Sequence, residues 1–143
     1  FKYHIFVHDL TDCPPSHAYA QDLTAFRFVF NQIDDQRNFV PVYILKPKRR
    51  LARDPHYKTC SGYGLSLFDS LENACKRYAD LVESVPNFPQ TVGTHIAKGQ
   101  INKSDGVVTE PNADGHLTLY EFEHIDLQVK FQIVHQVYYD ENA

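Results

Sequence analysis

The chain has 143 residues, a length that suits one domain able to bury a real core. Hydrophobic residues make up 43% and charged residues 22%, which excludes a disordered chain. The net charge of −4 excludes a general nucleic-acid binder, which needs a basic stripe to displace counterions, and no run of about 18 apolar residues is present to span a membrane.

Residues 2–8 (KYHIFVH) alternate with period two and predict a first strand. A loop rich in Asp and Pro follows, and Ser16 stands where a helix N-cap belongs. Tyr19, Leu23, Phe26, Phe30 and Ile33 then recur at spacings that predict an amphipathic helix. Residues 25–30 also alternate, so a strand competes there. Residues 38–46 (NFVPVYILK) predict a strand with Pro41 near its start, acceptable at an edge. Residues 47–59 predict a loop, and the basic cluster 46–50 (KPKRR) reads as its solvated start rather than a phosphate patch.

Residues 64–68 predict a short buried strand led by glycine. Asp69 and Glu72 match a capping box, and Leu71, Ala74, Tyr78, Leu81 and Val82 line one face of the helix that follows. Residues 85–89 (VPNFP) stop it, because proline cannot continue a helix. Residues 94–101 predict a strand with a bulge at Gly99. Turns at Ser104 to Gly106 and at residues 111–115 flank a strand beginning at Val107. Alternation predicts two more strands, over 116–122 and 129–139. The expectation is a single α+β domain over residues 1–143, a mixed, mostly antiparallel sheet of about six strands with two main helices packed on it.

The chain opens on Phe1 and contains no Met, so residues are expected to precede Phe1 in the native protein. No signal-peptide pattern is visible. Cys13, Cys60 and Cys75 are an odd, widely spaced set, neither a disulfide framework nor a zinc signature. All three are expected as reduced thiols of a cytoplasmic protein.

Candidate chemistry starts at the glycines. Gly62 and Gly64 precede a strand, not a helix, and the G-x-G-x-x-G fingerprint is missing, so a dinucleotide or phosphate loop at a helix N-terminus is not expected. The eight histidines include His4 and His8 on one face of the predicted first strand. At the usual rise they stand about 13 Å apart, too far to share a metal, and no metal site is expected.

The segment G-L-S-L-F-D-S-x-x-x-A-x-x-x-Y, from Gly64 to Tyr78, resembles the middle motif of the ADP-ribosyltransferase superfamily, in its poly(ADP-ribose) polymerase-like and diphtheria-toxin-like branch. The block L-T-L-Y-E-F-E-H-I-D-L-Q, from Leu117 to Gln128, is similar to the final motif of that family. The resemblance implies NAD or a related nucleotide as ligand. It assigns catalytic positions to His4, which matches the ribose-holding histidine, to Ser66, where the family carries a Tyr stacked on nicotinamide, and to His116, where it carries a catalytic Glu. It assigns ligand contacts to Gly64, Tyr63 and Tyr120. Only His4 keeps the family's residue type, which implies degenerate or altered catalysis. Glu121 or Glu123 would replace the missing carboxylate only in a different register. By parity Glu121 points away from His116, and Glu123 lies beyond the strand.

Two other readings stand beside this one. His116-Leu117-Thr118 looks like one of the two H-x-T elements of a two-histidine phosphoesterase, in which one histidine is base and the other acid. His4 and His95 lack the matching hydroxyl two residues on. The third reading is a non-enzymatic module that binds a small ligand or a protein target. The functional crevice is expected where residues 64–66, the start of the Asp69 helix and the 116–120 strand meet, and the interaction-module reading predicts a contiguous exposed apolar patch.

Overall fold

Apolar residues that pair across six strands organise this α+β chain. The computed structural model describes residues 1–47 and 60–140. Most of the basic loop expected at 47–59, with His56, lies outside the described residues. The strands are β1 (Leu23–Val29), β2 (Leu65–Phe68), β3 (His95–Ile101), β4 (Gly106–Val108), β5 (His116–Glu121) and β6 (Phe131–Gln136). They form one sheet in the order β4-β5-β2-β1-β3-β6, and every neighbouring pair is antiparallel.

The helices among the described residues are α1 (His4–Val7), α2 (Val42–Leu45), α3 (Leu71–Ser84) and α4 (Phe88–Val92). Only α3 is long, at 14 residues. The Ser70 hydroxyl caps it by accepting from the Asn73 amide at 3.0 Å. The cap is therefore Ser70, one residue later than the Asp69 box. Asp69 instead accepts from the Asn73 side chain at 2.8 Å. Ala74 and Tyr78 are the buried face of α3, and the Tyr78 hydroxyl donates to the Gly93 carbonyl at 2.8 Å.

One face of the sheet carries the main apolar cluster, including Ala25, Val29, Leu65, Leu67, Ala97, Leu117 and Leu119. The other packs Phe26, Phe28, Phe68 and Ile96 against Leu71 and Ala74 of α3. β1 thus carries apolar side chains on both faces, with Ala25 and Val29 buried and Phe26 and Phe28 partly buried. This overturns the second main helix expected after Ser16: Phe26 and Ile33 share a helical spacing, but β1 gains a full register with β3 from Leu23–Ile101 to Val29–His95.

The first predicted strand is likewise a helix, α1. It finds no strand partner and docks through Val7 onto Tyr43 and Tyr63. Pro41 caps α2 instead of opening an edge strand. The stop at 85–89 contains the start of α4. The bulge against β6 falls between Ile96 and Ala97, not at Gly99. Gly93, at the end of α4, has φ +96° and lies so close to β1 that a Cβ would come 2.1 Å from the Val29 carbonyl oxygen.

Cys13 and Cys60 form a disulfide, which corrects the expectation of three reduced thiols; Cys75 is free. The bond ties the N-terminal segment to the turn that leads into β2. No helix of the described residues is long and apolar enough to cross a membrane.

Candidate functional site

The sheet opens in its middle. β2 is registered with β5 over four residue pairs, but with β1 only at Phe26–Phe68. Beyond that pair the two strands diverge. The Arg27 guanidinium bridges the opening, donating from Nη1 to the Ser66 carbonyl at 2.9 Å and from Nε to the Asn38 carbonyl at 2.7 Å. Burial lowers the Arg27 pKa to about 10, against the pull of Glu121 and Tyr3, so the side chain stays charged at neutral pH.

A cavity of about 370 Å³ lies over this opening, within the usual range for small-molecule sites. Phe28, Phe30, Phe68 and Phe88 line it, as do Arg27, Arg37, Lys46 and Arg77. Ser66 and His116 face it from neighbouring strands, which is why Ser66 is exposed although β2 has a strand on either side.

Asn38 builds one wall. Its side chain is 1% exposed and accepts from the Phe30 amide at 2.7 Å while donating to the carbonyls of Gln32 and Ile33 at 2.8 and 3.2 Å. That knot fixes the loop carrying Arg37. Arg37 lies 3.5 Å over the Phe30 ring and is paired with Asp35 at 2.7 Å.

Asn112 builds the opposite wall. Its Oδ1 accepts from the amides of Asp114 and His116 at 2.9 and 3.0 Å, which sets the turn entering β5. The His116 ring stands edge-on to Phe68, and its Nε2 is 3.0 Å from Ser66 Oγ. Burial and then the nearby Arg77 charge lower the His116 pKa, with Asp114 acting the other way, so the imidazole is neutral at pH 7.

Of the residues predicted for the site, Ser66, His116 and Gly64 line the cavity together. A side chain at Gly64 would strike Thr118 Cγ2 at 2.4 Å, so the close approach of β2 and β5 requires glycine there. His4 does not line the cavity. It lies on α1 with its ring 5.5 Å from that of His8, which also corrects the 13 Å separation expected of a strand. Tyr63 is buried against Val7 and Tyr43. Tyr120 is buried as well, with its hydroxyl 3.7 Å from Cys60 Sγ. Neither lines the cavity. Thr118 is buried beneath Gly64, so the H-x-T element presents only its histidine.

The cationic lining was missed from sequence. Arg27, Arg37 and Arg77 come from three separated segments, and nothing local marks them. Glu121 lies outside the cavity, buried and 2.6 Å from Lys2. Among the described residues, no group of three or more His, Cys, Asp or Glu is placed to hold a metal ion. No protein-family model, characterised protein or solved structure matches the chain.

Proposed function

We propose that the cavity over Ser66 and His116 binds a nucleotide-like ligand, an aromatic base joined to phosphate, and that it does so without efficient ADP-ribosyl transfer. The observation that carries this reading is the wall itself, where four phenylalanines stand among four cationic side chains. Aromatic faces stack on a base, worth about 1–3 kcal/mol per base. Guanidinium and ammonium groups match phosphate oxygens. The likeness of residues 64–78 to the ADP-ribosyltransferase motif makes NAD the first candidate.

The electrostatics argue against transfer. Loss of nicotinamide builds positive charge on the ribose, and a fixed carboxylate is the group that stabilises it. On the likeness His116 stands where that carboxylate would be, and Asp114 is the one acidic residue among the described residues that line the cavity. Glu121 lies outside the cavity and is committed to Lys2. The chain on this reading is a binding module.

Thermal unfolding with NAD, ADP-ribose and AMP tests the proposal. Ligand at 100 times its Kd adds about 2.7 kcal/mol of stability. A rise in Tm of several degrees with at least one nucleotide is expected, with no release of nicotinamide from NAD. A folded sample whose Tm does not move at millimolar nucleotide refutes the binding, and steady nicotinamide release refutes the non-catalytic part.

A further inference from the structure

We propose that the Ser66, His116 and Arg77 end of the cavity is a phosphomonoester subsite, preferring a terminal dianionic phosphate to a bridging phosphodiester and taking up a proton as it binds. The inference rests on the nucleotide reading of the same cavity and goes beyond it by naming the class of phosphate.

The cations of the cavity are not equally available. Arg37 is spent on Asp35, and Arg27 on two backbone carbonyls. Neither Arg77 nor Lys46 has an ion-pair partner among the described residues, and of the two Arg77 is the charge that acts on the His116 ring. Arg77 reaches the cavity from α3, facing Ser66 of β2 and His116 of β5. Asn112 joins them, and its Oδ1 already serves two amides, so its amide hydrogens remain for a ligand.

Arg77 alone would take either kind of phosphate. His116 makes the difference. At pH 7 the ring is neutral because it is partly buried and lies near the Arg77 charge. Among the described residues the other charge acting on it is Asp114, exposed in the turn before β5, and Asp69 at the start of α3 lies nearby, held by Asn73 beside Gly115. A dianion placed between Arg77 and His116 cancels the Arg77 charge and leaves one negative charge over. The imidazole then gains a proton from solvent. A charged imidazole can only donate. Its Nε2–H goes to Ser66 Oγ, already 3.0 Å away, and the serine hydroxyl hydrogen turns toward a phosphate oxygen. A phosphodiester carries one charge, which Arg77 takes, and nothing remains to hold the proton on His116.

Calorimetric titration of the chain with AMP and with 3′,5′-cyclic AMP separates the two phosphate classes on one base. Between pH 7 and 8 the AMP phosphate stays dianionic, since its second pKa is about 6. Uptake of one proton makes AMP affinity fall about tenfold over that unit, while cyclic AMP stays level. AMP is expected to bind at least roughly tenfold tighter than cyclic AMP at pH 7 by the same count of charge. His116→Asn should remove both the pH slope and the preference for AMP over cyclic AMP. Arg77→Gln should weaken both ligands. Equal binding of the two, or AMP affinity independent of pH, overturns the subsite and leaves the nucleotide reading standing. If phenyl phosphate binds with the pH slope and no nucleotide binds, the subsite stands and the nucleotide reading falls. No binding of any of the three overturns both.

Discussion

Replacing Lys2 by Met isolates one buried charge. Glu121 has its side chain 1% exposed, with Oε2 2.6 Å from Lys2 Nζ. Its Oε1 has no hydrogen-bond partner among the described residues. Lys2 also donates to the Ile125 carbonyl, so the substitution strands two acceptors. Removing one partner of a buried pair costs about 3–5 kcal/mol. Arg27 still attracts the carboxylate, which places the expected loss near the lower end, about 3 kcal/mol. For a chain of this size that is a fall in Tm of roughly 10 °C.

The pH dependence has a definite sign. Burial already raises the Glu121 pKa above its ordinary 4.5, against the pull of Lys2, and without Lys2 it rises further. A carboxyl with a raised folded-state pKa stabilises the fold fully below its unfolded pKa and loses that contribution as pH rises through the folded value. The Lys2→Met deficit should therefore be largest at pH 7–8 and shrink as the pH falls toward about 5. Adding Glu121→Gln should recover most of it. Thermal melts of the four species at pH 5 and 7.5 complete the cycle. A deficit under about 1 kcal/mol at pH 7.5, or one that grows on acidification, refutes the reasoning.

Asn38→Ala removes three buried hydrogen bonds and is expected to cost about 3 kcal/mol, read from the urea midpoint. Exchanging both Cys13 and Cys60 for Ser opens a loop with a sequence separation of 47, which corresponds to about 4 kcal/mol, and wild type in reductant should melt like the variant. Gly93→Ala forces a side chain onto the Val29 carbonyl at positive φ and should lower Tm by more than about 6 °C.

The elements that could be read from sequence are those whose period matched a one-sided environment. α3 shows its buried face through Ala74 and Tyr78, and β5 follows from the glycine turn before it. β1 could not be read so plainly, because Ala25 and Val29 face one core and Phe26 and Phe28 the other. Apolar residues on both parities leave the alternation over 25–30 no stronger than a chance helical spacing. α1 alternates like a strand, yet pairing needs a partner that sequence does not reveal.

The site divides the same way. Ser66 and His116 lie on adjacent strands two residues out of register, since Ser66 faces Thr118 and Phe68 faces His116. Their meeting was therefore legible once both strands were. His4 was assigned by likeness alone, and α1 carries it elsewhere. The disulfide joins cysteines distant in sequence with Cα atoms 5.5 Å apart, a proximity that spacing does not encode.

The Phe26–Phe68 pair gives the sheet a narrow spine between two leaves of three strands each. Each leaf is held firmly within itself, and one arginine fastens them where the page opens. A guest in the gutter leans on both leaves at once. Arg27 and Phe28 on one leaf and Ser66, Phe68 and His116 on the other supply its walls.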